Sequence, residues 1–220
     1  MILYEGRMYL MVLNSEVQSI VKDRFTHLQE RVRITTFTQE FECQFCREAR
    51  SLNEELASLT DKIDLEVFDL QKNRIEAERY HIEEIPATAI SGDKDYGIRF
   101  YGVSGGYEFT SFLEAIMMVS RRESGLSAES KMRLQGWKKP TRIRVFTTLT
   151  CPYCPQAVSL AHKMALENDF IAAEMIEIGE FPHLANKYQV YGVPKVVINE
   201  IIQFEGALPE AQFLDRVLQV

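Results

Sequence analysis

The sequence of 220 residues lacks the features that mark secreted, membrane-spanning or nucleic-acid-binding proteins. It has only four cysteines, and they are not scattered along the chain as in a secreted disulfide framework. No run of 18 apolar residues occurs, so no membrane-spanning segment is expected. Acidic residues outnumber basic ones by 32 to 25, and a net charge of −7 provides no basic surface for phosphate groups. Neither a membrane nor a nucleic acid is therefore expected as a partner.

The first 14 residues, MILYEGRMYLMVLN, are hard to interpret. They contain one basic residue, Arg7, and no small-residue cleavage site, which argues against a signal peptide. The sequence therefore favours a cytoplasmic location. Residues 8–13 have the composition of a strand or of a leader without structure, and nothing in the second half of the chain matches them.

All four cysteines fall in two C-x-x-C motifs, Cys43–Cys46 and Cys151–Cys154. A disulfide within such a motif closes a very short loop and stabilises the fold little. The motifs therefore indicate redox chemistry or metal binding rather than structural cross-linking.

Two prolines recur at the same distance from the motifs. Ile85-Pro86 lies 43 residues beyond Cys43, and Val193-Pro194 lies 43 residues beyond Cys151. Cysteine pair and proline thus repeat at an offset of 108 residues. A fixed offset of this kind predicts an internal duplication with one C-x-x-C motif in each copy.

The hydrophobic pattern predicts the same element order, α-β-α-β-α-β-β-α, in both halves. Each half is therefore expected to be an α/β unit with a central mixed sheet flanked by helices. The polar stretch 120–128 (SRRESGLSA) predicts a division into residues 1–122 and 123–220. In the first half, Ser15 is expected to cap a helix that buries Ile20.

The motifs have a chemical requirement that their predicted position meets. A thiolate rather than a thiol attacks a disulfide, so the thiol pKa of one cysteine must be lowered. Strands are predicted just before both motifs and helices just after, and a helix N-terminus stabilises a negative charge. Cys43 and Cys151 are therefore predicted to attack the substrate. Cys46 and Cys154, one turn later, are predicted to resolve the mixed disulfide.

Pro86 and Pro194 are predicted to follow cis peptide bonds, since X-Pro steps are the usual setting for them. A cis bond at the start of a strand would turn a backbone edge toward the cysteines, where a substrate segment could pair with it. Ile85 and Val193 would line the same groove. The alternative is a pair of trans prolines on edge strands.

These residues resemble the protein disulfide oxidoreductases of thermophilic archaea and bacteria, also called glutaredoxin-like proteins. The resemblance covers residues 15–220 and includes Cys151–Pro155 (CPYCP), Gly192–Pro194 and Gly92–Arg99. It implies two tandem thioredoxin-like folds, no cofactor beyond the redox-active disulfides, and oxidation, reduction or isomerisation of disulfides in protein substrates in the cytosol.

Three other functions remain open. The chain could be a dedicated electron relay between a thioredoxin-reductase-like flavoprotein and one client such as a peroxidase. It could be a non-catalytic binding module, although such modules usually lose a cysteine and this chain has kept all four. The four cysteines could instead bind one zinc ion, although zinc-binding pairs usually lie within about 20 residues of each other.

Four further expectations concern single residues. Pro155 is expected at the fourth position of its helix, where it would forfeit a backbone hydrogen bond and distort the first turn. The four histidines are expected on helix surfaces. The strands before the motifs contain no Asp or Glu, so no proton acceptor for Cys46 or Cys154 is predicted. Within five residues of Cys43 lie three acidic residues and one basic residue, whereas no charged residue lies that close to Cys151. The Cys151 thiol is therefore expected to be the more acidic of the two nucleophiles.

Overall fold

The computed structural model describes residues 2–4, 7–9 and 12–220. Strands β1 (Ile2–Tyr4) and β2 (Arg7–Tyr9) pair antiparallel in a small separate sheet. The segment predicted as a strand or leader without structure, residues 8–13, overlaps the end of β2, and residues 10 and 11 lie outside the described residues.

The first repeat follows the predicted order of elements. They are α1 (Ser15–Phe25), β3 (Val32–Thr38), α2 (Cys46–Ser58), β4 (Ile63–Asp69), α3 (Arg74–Arg79), β5 (Ala87–Ser91), β6 (Asp95–Tyr101) and α4 (Glu108–Arg121). The second repeat has the same order. Its elements are α5 (Ala128–Gln135), β7 (Thr141–Thr147), α6 (Cys154–Glu167), β8 (Ile171–Glu177), α7 (Pro182–Lys187), β9 (Lys195–Ile198), β10 (Ile202–Glu205) and α8 (Glu210–Val217).

The strands of both repeats join in one eight-stranded mixed sheet, in the order β10-β9-β7-β8-β6-β5-β3-β4. The joint is a parallel pairing of β6 with β8, from Ile98 opposite Ala173 to Tyr101 opposite Ile176. Each repeat contributes four adjacent strands in the same internal order. The boundary at residue 122 stays a prediction, because the sheet is continuous across the two repeats.

The strand directions place both motifs at the same end of the sheet, where β3 and β7 have their carboxyl ends. Strands β3, β6, β8 and β7 all run in the same direction, so the segments that follow β3 and β7 begin at the same end of the sheet. Four strand spacings of about 4.8 Å separate β3 from β7, which puts them about 19 Å apart.

Helices cover both faces of the sheet. One core contains side chains of α2, α4 and α6, for example Leu52, Ile116 and Met164. The other lies on the opposite face under α3 and α7 and contains Tyr80 and Phe181. Because side chains alternate along a strand, β3 contributes Ile34 to the first core and Phe37 to the second.

The first helix departs from prediction in two details. Asn14, not Ser15, is the N-cap, since its side chain accepts a hydrogen bond from the Val17 N–H at 2.9 Å. Ile20, expected on the buried face, is exposed, whereas Val21 and Phe25 are buried. The buried face is narrower than the apolar pattern suggests.

Candidate active sites

The N-terminal site is built around the first motif. Cys43 and Cys46 form a disulfide, with their Cα atoms 5.5 Å apart. Cys46 is the first residue of α2 and is 1% exposed, whereas Cys43 precedes the helix and is partly exposed. The more accessible cysteine is thus the one predicted to attack.

The C-terminal site repeats this arrangement. Cys151 and Cys154 form a disulfide with the same Cα separation of 5.5 Å. Cys151 is 6% exposed and Cys154 is fully buried, so the prediction that the first cysteine is the more exposed is confirmed in both motifs. In addition, the Cys154 N–H donates a hydrogen bond to the Cys151 Sγ at 3.1 Å. That donor points at the atom on which a thiolate charge would form.

The expectation that Pro155 distorts the helix is wrong. Helix α6 begins at Cys154, with Tyr153 as the N-cap, so Pro155 is the second helical residue. The first N–H groups of a helix have no intrahelical acceptor, and a proline there forfeits no helical hydrogen bond. The sequence-based count places the helix start two residues too early.

Both predicted cis bonds are present, at Ile85-Pro86 and at Val193-Pro194. Each proline comes directly before a strand, β5 or β9, which pairs with the strand that leads into its own motif, β3 or β7. Both prolines are buried, and Ile85 and Val193 are partly exposed. Each site therefore combines a cysteine pair with a short segment, Ile85-Pro86 or Val193-Pro194, in which the residue before the proline is an accessible apolar one. We call this segment the proline edge.

A glycine holds the proline edge in each repeat. The Gly102 N–H donates to the Pro86 carbonyl at 2.9 Å, and the Gly206 N–H donates to the Pro194 carbonyl at 2.8 Å. Both glycines have positive φ. Their surroundings differ, because a Cβ on Gly102 would meet the Glu180 carboxylate at 3.0 Å, whereas no atom of the described residues lies within 4 Å of such a Cβ on Gly206.

Glu180 brings a carboxyl group of the second repeat to the rim of the N-terminal site. Its Oε1 accepts a hydrogen bond from the Val103 N–H at 2.8 Å, and its Oε2 is buried without a partner among the described residues. Burial raises the pKa of Glu180 to about 7, against the opposing Val103 hydrogen bond and with help from the charges of Glu177 and Glu48.

Reciprocally, the first repeat reaches the C-terminal site. The Tyr107 N–H donates to the Leu149 carbonyl at 3.0 Å, two residues before Cys151. Gly106, at φ +56°, permits this approach, because a Cβ there would overlap the Leu149 carbonyl oxygen. The loop that carries Cys151 is thus held by a backbone hydrogen bond to the loop between β6 and α4.

Glu108, the first residue of α4, is fully buried beside this contact. Its Oε2 accepts a hydrogen bond from the Ser111 hydroxyl at 2.5 Å, and its Oε1 has no partner in the described part of the chain. Burial raises the pKa of Glu108 to about 7 despite that hydrogen bond.

Helix α4 runs alongside α6 in the same direction. The Glu114 carboxylate bonds to the Ser159 hydroxyl and, at 2.8 Å, to the Lys163 ammonium. Glu114 lies six residues after the start of α4 at Glu108, and Ser159 lies five residues after the start of α6 at Cys154. Since an α-helix rises about 1.5 Å per residue, Glu108 and Cys154 lie at about the same height along the two helix axes. Sequence reasoning missed Glu108, because an acid in a first helical turn usually signals a favourable charge at an exposed helix end.

Within residues 2–4, 7–9 and 12–220, no group of three or more His, Cys, Asp and Glu side chains is arranged to hold a metal ion. No helix in the described part of the chain is long and apolar enough to cross a membrane. The sulfur atoms of the four cysteines all take part in the two disulfides.

Comparison with known sequences relates the chain to thioredoxins. Residues 141–219 match the family described as a thioredoxin domain. Over 77 residues, 34% of this chain, the sequence is 37% identical to a thioredoxin of Methanocaldococcus jannaschii, of which it covers 91%. Over 173 residues it is 27% identical to the F subunit of alkyl hydroperoxide reductase from Pseudomonas aeruginosa. That match covers 78% of this chain but only 31% of the relative.

Solved structures match nearly the whole chain. A protein disulfide oxidoreductase from Aeropyrum pernix superposes with a TM-score of 0.89 at 29% identity, over 95% of this chain and 94% of that one. The F subunit of alkyl hydroperoxide reductase from Enterococcus faecalis superposes with a TM-score of 0.87 at 25% identity, over 94% of this chain and 100% of that one. The expected fold, two tandem thioredoxin-like units, is confirmed.

Proposed function

Because the chain belongs to the thioredoxin family, we propose that it is a protein disulfide oxidoreductase that exchanges dithiols and disulfides with protein substrates. The observation that supports the proposal is a repeated arrangement, in which a cysteine pair lies at a helix start and the strand that follows a cis proline pairs with the strand that leads into that motif. A disulfide that closes so short a loop stabilises the fold little, and both features serve attack on a disulfide in an extended substrate segment.

In the reductive direction, the thiolate of Cys151 attacks one sulfur of a substrate disulfide. The substrate S–S bond breaks, a mixed disulfide forms, and the released substrate sulfur takes up a proton. The thiolate of Cys154 then attacks the Cys151 Sγ, which releases the second substrate sulfur and leaves the enzyme disulfide. Two electrons pass to the substrate, and Cys43 and Cys46 do the same at the other site. The reverse sequence oxidises a substrate dithiol.

Glu108 is the proton acceptor that we propose for Cys154. It lies at the level of Cys154, its Oε1 has no hydrogen-bond partner among the described residues, and its pKa is about 7. A group with a pKa near the working pH both accepts and returns a proton readily. The acceptor thus comes from the first repeat, whereas the cysteines belong to the second.

Pro86 and Pro194 are proposed to present the substrate-binding edges, with Ile85 and Val193 as apolar contacts. Pairing through main-chain hydrogen bonds gives affinity with little dependence on substrate side chains. This mode of binding suits enzymes that act on many proteins. We further propose the cytoplasm as the location, because the proteins that the chain resembles act on disulfides in the cytosol.

A second function is favoured by the match to the F subunit of alkyl hydroperoxide reductase. In this alternative, the chain carries electrons from a flavoprotein reductase of the thioredoxin-reductase type to one client, such as a peroxidase. The chain spans about a third of the length of the curated relatives with that name, so their whole activity is not transferred to it.

Two assays on the full chain separate these functions. Reduction of insulin measures disulfide reduction, and refolding of a protein with scrambled disulfides measures isomerisation. A general oxidoreductase is expected to be active in both. Insulin reduction without refolding activity would favour the relay, and inactivity in both would refute the proposal in favour of a non-catalytic module.

A further inference from the structure

A buried polar cluster lies behind the N-terminal site. The amide Nδ2 of Asn53 donates hydrogen bonds to the hydroxyls of Thr36, at 2.8 Å, and Thr88, at 2.9 Å. All three side chains are buried, with Asn53 only 2% exposed. Asn53 lies on α2 seven residues after Cys46, Thr36 lies on the strand that leads into the motif, and Thr88 lies two residues after Pro86.

The second repeat has only apolar side chains at the equivalent positions. Ala161 lies seven residues after Cys154, and Val196 lies two residues after Pro194. Val145 is opposite Val196 in the sheet, just as Thr36 is opposite Thr88. All three apolar residues are buried. The same space can therefore be filled without a polar atom.

This substitution of polar for apolar groups has a physical consequence. A buried amide or hydroxyl costs free energy unless it is hydrogen-bonded, so the polar cluster is not the simplest way to fill the core. Hydrogen bonds are directional, whereas contacts between Ala and Val side chains tolerate sliding. The cluster therefore fixes the relative position of α2, which begins at Cys46, of β3, which leads into the motif, and of β5, which follows Pro86.

Resting on the proposed function, we propose that Asn53 is a positioning residue of the N-terminal site. Its amide ties the helix that begins at Cys46 to the strand that follows Pro86, and so holds the substrate-binding edge at a set distance from Cys43. In the C-terminal site packing alone sets that distance. The N-terminal site is accordingly the more rigid receptor for peptide.

The test uses the full chain with Cys151→Ser and Cys154→Ser, so that only the N-terminal site turns over. In this background, the three substitutions Thr36→Val, Asn53→Ala and Thr88→Val are made together. They introduce the side chains that the second repeat has at the equivalent positions. KM and kcat are measured for reduction of a disulfide-bonded peptide with dithiothreitol as the reductant. We expect KM to rise about tenfold, the equivalent of about one lost hydrogen bond, while kcat changes less than about twofold.

Two controls separate positioning from a general loss of structure. The triple change in a chain with Cys43→Ser and Cys46→Ser leaves the C-terminal site working, and KM there should not move. Asn53→Asp keeps both hydrogen bonds, because the threonine hydroxyls can donate to a carboxyl group. It should keep KM within about twofold of the parent.

Hydrogen exchange of the β5 amides, with β9 as an internal reference, supplies a readout that needs no turnover. Exchange in β5 should become about tenfold faster in the triple variant, and exchange in β9 should be unchanged. An unaltered KM together with unaltered β5 exchange would overturn the positioning role, as would equal changes at both sites. If the parent with the N-terminal site alone shows no reduction, the proposed function fails there, and the exchange data still decide the role of Asn53.

Discussion

The two active sites share a backbone design but differ in what lies around the cysteines. The C-terminal site has an apolar interior, a buried carboxyl group at Glu108, and a loop braced by the first repeat. The N-terminal site has a neutral polar cluster behind it and Glu180 of the second repeat at its rim. The two cysteine pairs therefore have the same geometry, whereas the surroundings to which we assign proton transfer and substrate binding differ.

The divergence follows from how the repeats are joined. The parallel pairing of β6 with β8 gives each repeat a neighbour on one side only. The second repeat covers the rim at Gly102, whereas the equivalent rim at Gly206 lies next to an open sheet edge. Two units of the same fold placed side by side thus have different surroundings at their sites.

The largest expected effect is all-or-none and tests the roles within each site. With the N-terminal cysteines replaced by serine, Cys154→Ser should accumulate a stable mixed disulfide with substrate, because the attacking thiol is kept and the resolving one is lost. Cys151→Ser should trap none. The corresponding pair at the other site is Cys46→Ser and Cys43→Ser. Gels without reductant give the result, and trapping by Cys151→Ser would reverse the assigned roles.

The next effect should distinguish the sites by proton transfer. Glu108→Gln should slow turnover at the C-terminal site by about a hundredfold at about pH 7.5, since general base catalysis typically contributes that much. Turnover of the parent site should rise with pH through about 7, and the variant should lose this rise. The N-terminal site serves as the control. An equal loss at both sites would show that Glu108 acts through the fold.

The same substitution has a predicted effect on stability. Native Glu108 keeps its proton up to about pH 7, whereas in the unfolded chain the carboxyl group releases it near 4.5. The unfolding free energy therefore falls as the pH rises between these values. Glu108→Gln removes the loss and should stabilise the protein by up to about 3 kcal/mol at about pH 8, with little change at about pH 4. Urea unfolding at both pH values measures this, and destabilisation at the higher pH would contradict it.

A smaller effect tests whether the first repeat braces the C-terminal site. Gly106→Ala should lower C-terminal turnover severalfold, because the added Cβ overlaps the Leu149 carbonyl oxygen. Gly125→Ala is the matched control, since Gly125 also has positive φ but, among the residues that the structure describes, no atom lies within 4 Å of its Cβ position. Both changes should cost about 1–2 kcal/mol from the left-handed backbone. Equal turnover in the two variants would show that the Leu149 contact has no catalytic role.

The sequence predicted what lies within one repeat and missed what depends on two. Strand β3 and the cis prolines follow from local composition and from the repeated spacing. Neither Glu108 nor His162 stands out in the sequence. His162, expected on a helix surface, is buried against Phe100, and its Nε2 lies 3.2 Å from the Arg99 carbonyl. Helix α6 covers β6 of the other repeat, and no pattern within α6 indicates that neighbour.

The smallest expected effect concerns the acidity of the two nucleophiles, with the Cys151 thiol more acidic than the Cys43 thiol by less than about one pKa unit. Glu40, Glu42 and Glu48 lie within five residues of Cys43 with only Arg47 to offset them, whereas no charged residue lies that close to Cys151. A net carboxylate about 10 Å away opposes a thiolate by roughly 1 kcal/mol after screening.

Two contacts bear on the size of this difference. The Cys154 N–H, which donates to the Cys151 Sγ, favours the thiolate there. Lys195, next to Pro194, contributes less than its sequence position suggests, because its ammonium is bound by the carbonyls of Tyr188, at 2.7 Å, and Gln189, at 3.1 Å. Pro152 acts in the opposite direction, since it removes an N–H that Gln44 retains.

Alkylation of reduced single-site chains against pH measures the two thiols separately. The carboxylates around Cys43 are solvent-exposed, so their effect should shrink when the salt concentration is raised to about 1 M, whereas the Cys154 N–H contribution should persist. A difference that vanishes in salt would therefore assign it to charge, and one that survives would assign it to the backbone donor. A Cys43 thiol pKa at or below that of Cys151 at low salt would refute both contributions, because each of them predicts the opposite order.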